Sequence, residues 1–140
     1  MTMKDIKIIV VVLLLVIGYE AYGDDRKCLI ENIYFEARGQ GQAGWLAVAQ
    51  VTQNRVDDRR FPNTICEVVR QGLTYASGDP IRNKCQFSWY CDGKSDKPKN
   101  TKVYNEISEL VNYIYDVKGQ PNHELLDITD GATHYHADYV

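Results

Sequence analysis

The chain has 140 residues, enough for one compact domain and too few for two comfortable ones. It is 44% apolar and 25% charged, a globular composition that excludes an intrinsically disordered chain. A formal net charge of −3 argues against nucleic-acid binding, which needs a basic face to displace phosphate counterions.

Lys4 and Lys7 flank an unbroken apolar run from Ile8 to Ile17, followed by the small-residue pattern Ala21-Tyr22-Gly23. The run is roughly half of the ~20 residues that cross a bilayer comfortably. Residues 1–23 therefore read as a secretory signal peptide processed before Asp24, or as an uncleaved signal anchor. A buried core strand is the remaining alternative. The domain proper is expected over 24–140, exported to the periplasm or cell surface and touching a membrane only through an uncleaved N-terminal segment. Cys28, Cys66, Cys85 and Cys91 all follow the export segment, and an oxidising compartment would join them in two disulfides with three possible connectivities. The Cys85–Cys91 loop is short enough for a local clip, which would leave Cys28 to pair with Cys66. A four-cysteine zinc site is disfavoured because no Cys-x-x-Cys pair is present.

Residues 27–38 read as a helix stopped by Gly39 and Gly41. Leu29, Ile30, Ile33 and Ala37 share one face at 100° per residue, and Glu36 sits at the edge of that stripe. A second helix is predicted over 43–56 from the spacing of Trp45, Val48, Ala49 and Val56. Thr64-Ile65-Cys66-Glu67 fits a capping box and starts a short third helix, ended by Gly72. The long polar stretch 73–100 has an aromatic, cysteine-framed centre, Cys85 to Gly93, predicted as a short β-hairpin or clipped loop. Val103, Ile107, Leu110, Val111 and Ile114 mark a helix over 102–117 with Gly119 as its stop, and the tail after Pro121 reads as extended. The expected fold is α+β, mainly α, in a single domain with a small β element.

Glu36 is the first candidate for chemistry. A carboxylate at the margin of an apolar face, near a helix C-terminus with its negative partial charge, has the surroundings of a glycosidic general acid, which must arrive protonated. The alternative is a surface Glu paired with Arg38 or Arg55. Gln86-Phe87-Ser88-Trp89-Tyr90 mixes aromatic planes with amide and hydroxyl groups, a surface on which sugar rings can stack, or else a hydrophobic plug held by its cysteines. His134, His136 and Asp138 alternate and on a strand would face one way, as metal ligands do, but no fourth ligand stands nearby. Ser88 lies in no Gly-x-Ser-x-Gly elbow, so a serine nucleophile is a poor alternative.

Five blocks in order resemble the SleB-type cell wall hydrolases, the spore-cortex-lytic enzymes with Gram-negative and phage relatives. They are Ile33 to Gln40, Ala47 to Val56, Phe61 to Val69, Cys85 to Trp89, and Ala132 to Tyr135. The resemblance implies a lysozyme-like, mainly α catalytic domain acting on peptidoglycan; the chain is expected to work as a monomer without cofactor or metal. It implies Glu36 as catalytic acid, in lytic transglycosylation or muramidase cleavage between N-acetylmuramic acid and N-acetylglucosamine. One carboxyl group that donates and then accepts a proton suffices for transglycosylation; Asp92 and Asp130 are the second-carboxylate candidates for hydrolysis. By family position Gln86, Ser88, Trp89, Thr133 and Tyr135 are expected to line the cleft, and Phe87, Asp92 and His134 are expected beside them as further substrate-binding residues. The chain departs from the family in two places. Gln40 stands where the motif often has Glu, and relatives continue past the His-Tyr block with a Pro/Trp-containing segment where this chain stops at Val140. The second departure makes a catalytically impaired peptidoglycan-binding accessory protein the alternative reading. A zinc-dependent wall amidase or peptidase using His134 and His136 is the third.

Overall fold

The computed structural model describes residues 3, 25–118 and 128–135. The expected export segment therefore falls outside the described residues except for Met3, as do Gly119, His136 and Asp138. The first helix, α1, runs over 25–37 and buries the predicted stripe of Leu29, Ile30, Ile33 and Ala37, widened by Cys28 and Tyr34. Burying each of Leu29, Ile30 and Ile33 contributes about 1.5–3 kcal/mol, and the Ala37 methyl about 0.8 kcal/mol. A three-residue turn separates α1 from α2 (Gly41–Asp57). Gly41 enters α2 at a φ of +70°, a left-handed conformation that a side chain would strain. Trp45 on α2 closes the end of α1, its indole N–H donating to the Ala37 carbonyl at 2.9 Å.

Helix α3 (Ile65–Arg70) follows, and four of its six residues are buried. The Thr64 hydroxyl accepts from the Glu67 N–H at 3.3 Å, as a capping box requires. The reciprocal half is absent: the Glu67 carboxylate accepts from the Thr64 hydroxyl at 2.8 Å instead of from its backbone N–H. The disulfide Cys28–Cys66 ties α3 to α1, and Asp25 accepts from the Cys66 N–H at 3.0 Å beside it.

The only strands among the described residues are β1 (Gly72–Thr74) and β2 (Pro80–Cys85), paired antiparallel with Gly72 opposite Cys85. The hairpin thus lies before the cysteine-framed segment, not within it. Both strands are exposed or only partly buried, so no period-2 alternation betrays them in the sequence. Gly72 is needed at the pairing: a Cβ there would stand 2.8 Å from the Cys85 Cα and 2.9 Å from the Lys84 carbonyl. The segment after β2 is the clipped loop, a 3-10 turn (Ser88–Cys91) closed by Cys85–Cys91.

Helix α4 (Thr101–Lys118) turns Ile107, Val111 and Ile114 into the core, where they meet Ile33, Val68 and Val69. The Asn100 side chain caps it, accepting from the Val103 N–H at 3.2 Å. Arg26 joins α1 to the far end of α4 through Asn112 at 2.9 Å and a salt bridge to Asp116 at 3.6 Å. The result is a mainly helical α+β fold with one two-stranded sheet. Residues 128–131 form a turn and 132–135 are irregular, so the tail expected to be extended is folded back in this stretch. Among the described residues no helix is long and apolar enough to cross a membrane.

Candidate active site

Glu36 is partly buried on the last turn of α1, where the apolar stripe meets solvent. It lines a cleft of about 570 Å³ together with Ser88, Trp89 and Asp92 from the clipped loop, Arg38 beyond the helix end, and the lysine-rich segment that precedes α4. Of the residues expected at the site, Glu36, Ser88, Trp89 and Asp92 are therefore brought together.

Trp89 is mostly buried, and its placement is set by a chain of buried hydrogen bonds. Its indole N–H donates to Asn32 Oδ1 at 2.9 Å, Asn32 Nδ2 donates to Thr52 Oγ1 at 3.1 Å, and the Thr52 hydroxyl donates to the Val48 carbonyl at 2.8 Å. Clipped loop, α1 and α2 are thereby tied through groups that have no water to fall back on. The ring of Trp89 stacks on Phe35 at 4.7 Å, next to Glu36 in the chain.

The second element at Glu36 comes from the far end of the chain. The Tyr135 hydroxyl donates to Glu36 Oε2 at 2.5 Å. Loss of hydration, then the hydrogen bond and the charge of Glu36, push the Tyr135 phenol well above its usual 10.0, and nearby Arg55 opposes this only in part. Tyr135 is thus a neutral donor across the physiological range. The stretch 128–135 is strapped to α2: Gln50 accepts from the Ile128 N–H at 2.9 Å, and Asn54 donates to Thr129 at 3.1 Å and to the Ala132 carbonyl at 3.0 Å. Arg55 completes the strap with a 2.7 Å bond from Nε to the Thr133 carbonyl. Its guanidinium lies over Phe87 at 4.9 Å and Phe61 at 5.4 Å. Burial pulls the Arg55 guanidinium below its ordinary value, while electrostatic interaction with Tyr135 and Glu36 pulls the other way.

The remaining expected residues lie elsewhere. Phe87 is 2% exposed, a core ring under Arg55 with no face for a sugar. Gln86 extends the hairpin, its N–H donating to the Gln71 carbonyl at 2.8 Å, with its side chain exposed. Thr133 and His134 bond each other at 3.0 Å, and the His134 ring tilts against Phe61. Glu36 forms no ion pair with Arg38 or Arg55 among the described residues; its partner is the phenol. No group of three His, Cys, Asp or Glu side chains there could hold a metal.

Several site residues escaped the sequence reading. Asn32 stands on the buried stripe of α1, and a lone Asn on such a stripe signals a buried hydrogen-bond hub. Tyr34 is another: its buried hydroxyl accepts from the Lys99 N–H at 3.1 Å and the Asn100 N–H at 2.9 Å, fixing the wall of the cleft to the helix of Glu36. Asp96, also in that wall, has its carboxyl raised by lost hydration and by the charge of Asp92.

Comparison with curated proteins and with solved structures returns no match. Residues 39–140, well over half of the chain, match the Cell Wall Hydrolase family, and the matched span opens just after Arg38. The hairpin, the clipped loop, α2 to α4 and the strap with Tyr135 all fall inside it, while Glu36 lies outside it, separated from its start by Ala37 and Arg38. This chain belongs to the cell wall hydrolases, enzymes that act on peptidoglycan.

Proposed function

We propose that the protein is an exported, monomeric enzyme that cuts the glycan strand of peptidoglycan between N-acetylmuramic acid and N-acetylglucosamine, with Glu36 as acid and then base. The observation that carries this reading is the position of Glu36, lining a 570 Å³ cleft and bonded at 2.5 Å to a phenol that stays neutral. Protonated Glu36 gives its proton to the glycosidic oxygen as the bond to the muramyl C1 breaks. The resulting carboxylate takes the proton of the muramyl 6-hydroxyl, whose oxygen closes on C1 as an anhydro ring. If water attacks instead, the same proton transfer gives muramidase hydrolysis. The Tyr135 hydroxyl steadies the ionised carboxylate between the two transfers, since hydrogen bonds to charged acceptors are the strong ones.

Asp92 supports the single-carboxyl route by its confinement. It lines the cleft, but Oδ1 accepts from the Lys94 N–H at 2.8 Å and Oδ2 faces Lys94 Nζ at 3.8 Å. Both of its oxygens are thereby turned to Lys94 instead of to an attacking water. Asp130 sits in a turn at a φ of +51°, away from the cleft lining. Export through residues 1–23, with 24–140 as the working domain, is supported by the two disulfides, which persist in oxidising compartments.

The test is mass spectrometry of soluble products from purified peptidoglycan. Anhydromuramyl ends, one water lighter than hydrolytic ends, are expected from the wild type. Glu36→Gln is expected to lower the rate by about 10²–10⁴-fold with an unchanged unfolding curve. Full activity of that variant, or products that are peptides instead of sugars, would overturn the assignment.

A further inference from the structure

The wall that Tyr34 fixes beside Glu36 carries more positive charge than the glycan chemistry needs. Arg38, Lys94, Lys97 and Lys99 line the cleft, against the carboxylates of Glu36, Asp92 and Asp96. An excess of cations here runs against a chain whose net charge is −3. Asp92 is also spoken for, since it pairs with Lys94, which leaves Arg38, Lys97 and Lys99 against Glu36 and Asp96. Lys97 and Lys99 have no carboxylate partner among the described residues. Their backbone is held, since the Lys97 N–H reaches Ser95 Oγ at 3.4 Å and the Lys99 N–H reaches Tyr34 Oη at 3.1 Å. Two lysines that line the cleft on an anchored segment, without a carboxylate partner among the described residues, are placed to meet anions on the substrate.

The two sugar rings and their acetamides are neutral. Peptidoglycan carries its negative charge on the lactyl arm of muramic acid, either as the free lactyl carboxylate or as the carboxylates of a peptide attached there. We propose that Lys97 and Lys99 form a carboxylate subsite that receives this arm and so seats a muramyl ring, not a glucosaminyl one, beside Glu36. The subsite rests on the glycan-cleaving reading of Glu36 and names the part of the substrate that selects the bond.

The experiment compares the full-length wild type with Lys97→Ala/Lys99→Ala on three soluble strands. One bears peptides, one is stripped of peptides to the lactyl carboxylate, and one has every carboxyl converted to a neutral amide. Exposed pairs of this kind each contribute a factor of two to three, so the double variant should lose about fivefold in kcat/KM on acidic strands, mainly through KM. The wild type's advantage should vanish on amidated strands and shrink as salt shortens the Debye length below ~10 Å. A loss on stripped strands assigns the lactyl carboxylate, and a loss confined to peptide-bearing strands assigns the peptide; both support the subsite. Lys97→Glu/Lys99→Glu should deepen the loss on acidic strands alone. No loss on acidic strands, or an equal loss on amidated ones, overturns the proposal. Cleavage of none of the three by the wild type would instead defeat the reading of Glu36 itself, and the subsite with it.

Discussion

Replacing Asn32 by Ala tests whether the buried hydrogen-bond chain holds the cleft in shape. Asn32 is fully buried, accepts from the Trp89 indole at 2.9 Å and donates to Thr52 at 3.1 Å. Truncation strands the indole N–H without an acceptor, which costs about 1–3 kcal/mol. Thr52 keeps its own 2.8 Å bond to Val48, so its loss is the net value of one hydrogen bond, about 1 kcal/mol. The sum is about 3 kcal/mol, a large share of the ~5–15 kcal/mol that domains possess. Urea unfolding followed by tryptophan fluorescence should show a midpoint lower by about 2 M with m unchanged at about 1.5 kcal/mol/M. Thr52→Val, which removes the links to Asn32 and to Val48 but leaves the Trp89 bond in place, should cost about 1–3 kcal/mol. Because the freed ring is the one stacked on Phe35 beside Glu36, wall cleavage should fall along with stability. A loss below about 0.5 kcal/mol for Asn32→Ala would refute the reasoning, since a buried orphan donor cannot be that cheap.

Tyr135→Phe should keep the fold and lower kcat about tenfold, because the carboxylate form of Glu36 loses its donor. The same variant has a pH signature. The folded phenol keeps its proton above the ordinary value of 10.0 while the unfolded one releases it, so wild-type stability falls as pH rises past that point. Tyr135→Phe should remove part of that fall, seen as a smaller change in urea midpoint between about pH 9 and about pH 11. Cys28→Ala/Cys66→Ala opens a crosslink spanning 38 residues and should cost about 4 kcal/mol. Cys85→Ala/Cys91→Ala, with a span of 6, should cost about 2 kcal/mol but lower activity more, since it frees the loop of Trp89. A chelator should leave wall cleavage unchanged; inhibition reversed by zinc would restore the amidase reading of His134 and His136.

The helices were legible because their apolar spacing is regular. Ile107, Val111 and Ile114 keep a clean stripe, and Leu29, Ile33 and Ala37 put Glu36 at its margin. The strands were not, because a hairpin polar on both faces has no alternation to read. Composition also misled at the aromatic loop. Phe87 and Trp89 look alike as sugar platforms, yet one is roofed by Arg55 and the other reaches the cleft edge. Which ring is covered depends on α2, far away in the chain. From sequence Arg55 is a possible ion partner for Glu36, whereas its contacts in the fold are a backbone carbonyl and two phenyl faces. The lysine wall is an ordinary solvated charge run in sequence, and the Tyr34 hydroxyl, which holds Lys99 and Asn100, helps to bring it beside Glu36.

The bond between Tyr135 and Glu36 spans 99 residues, whereas the turn that carries Trp89 is closed by a bridge spanning only 6. Local closures are cheap and quick; distant ones wait until intervening helices have packed and shortened the path between their ends. The clipped loop can therefore form early on its own, but the phenol reaches the carboxylate only once α2 is in place to bind the strap. Partly folded molecules would then carry Glu36 without its donor. A glycan-cutting enzyme built this way would gain its full activity late in folding, with kinetics set by strap docking instead of by formation of the helix that bears the acid.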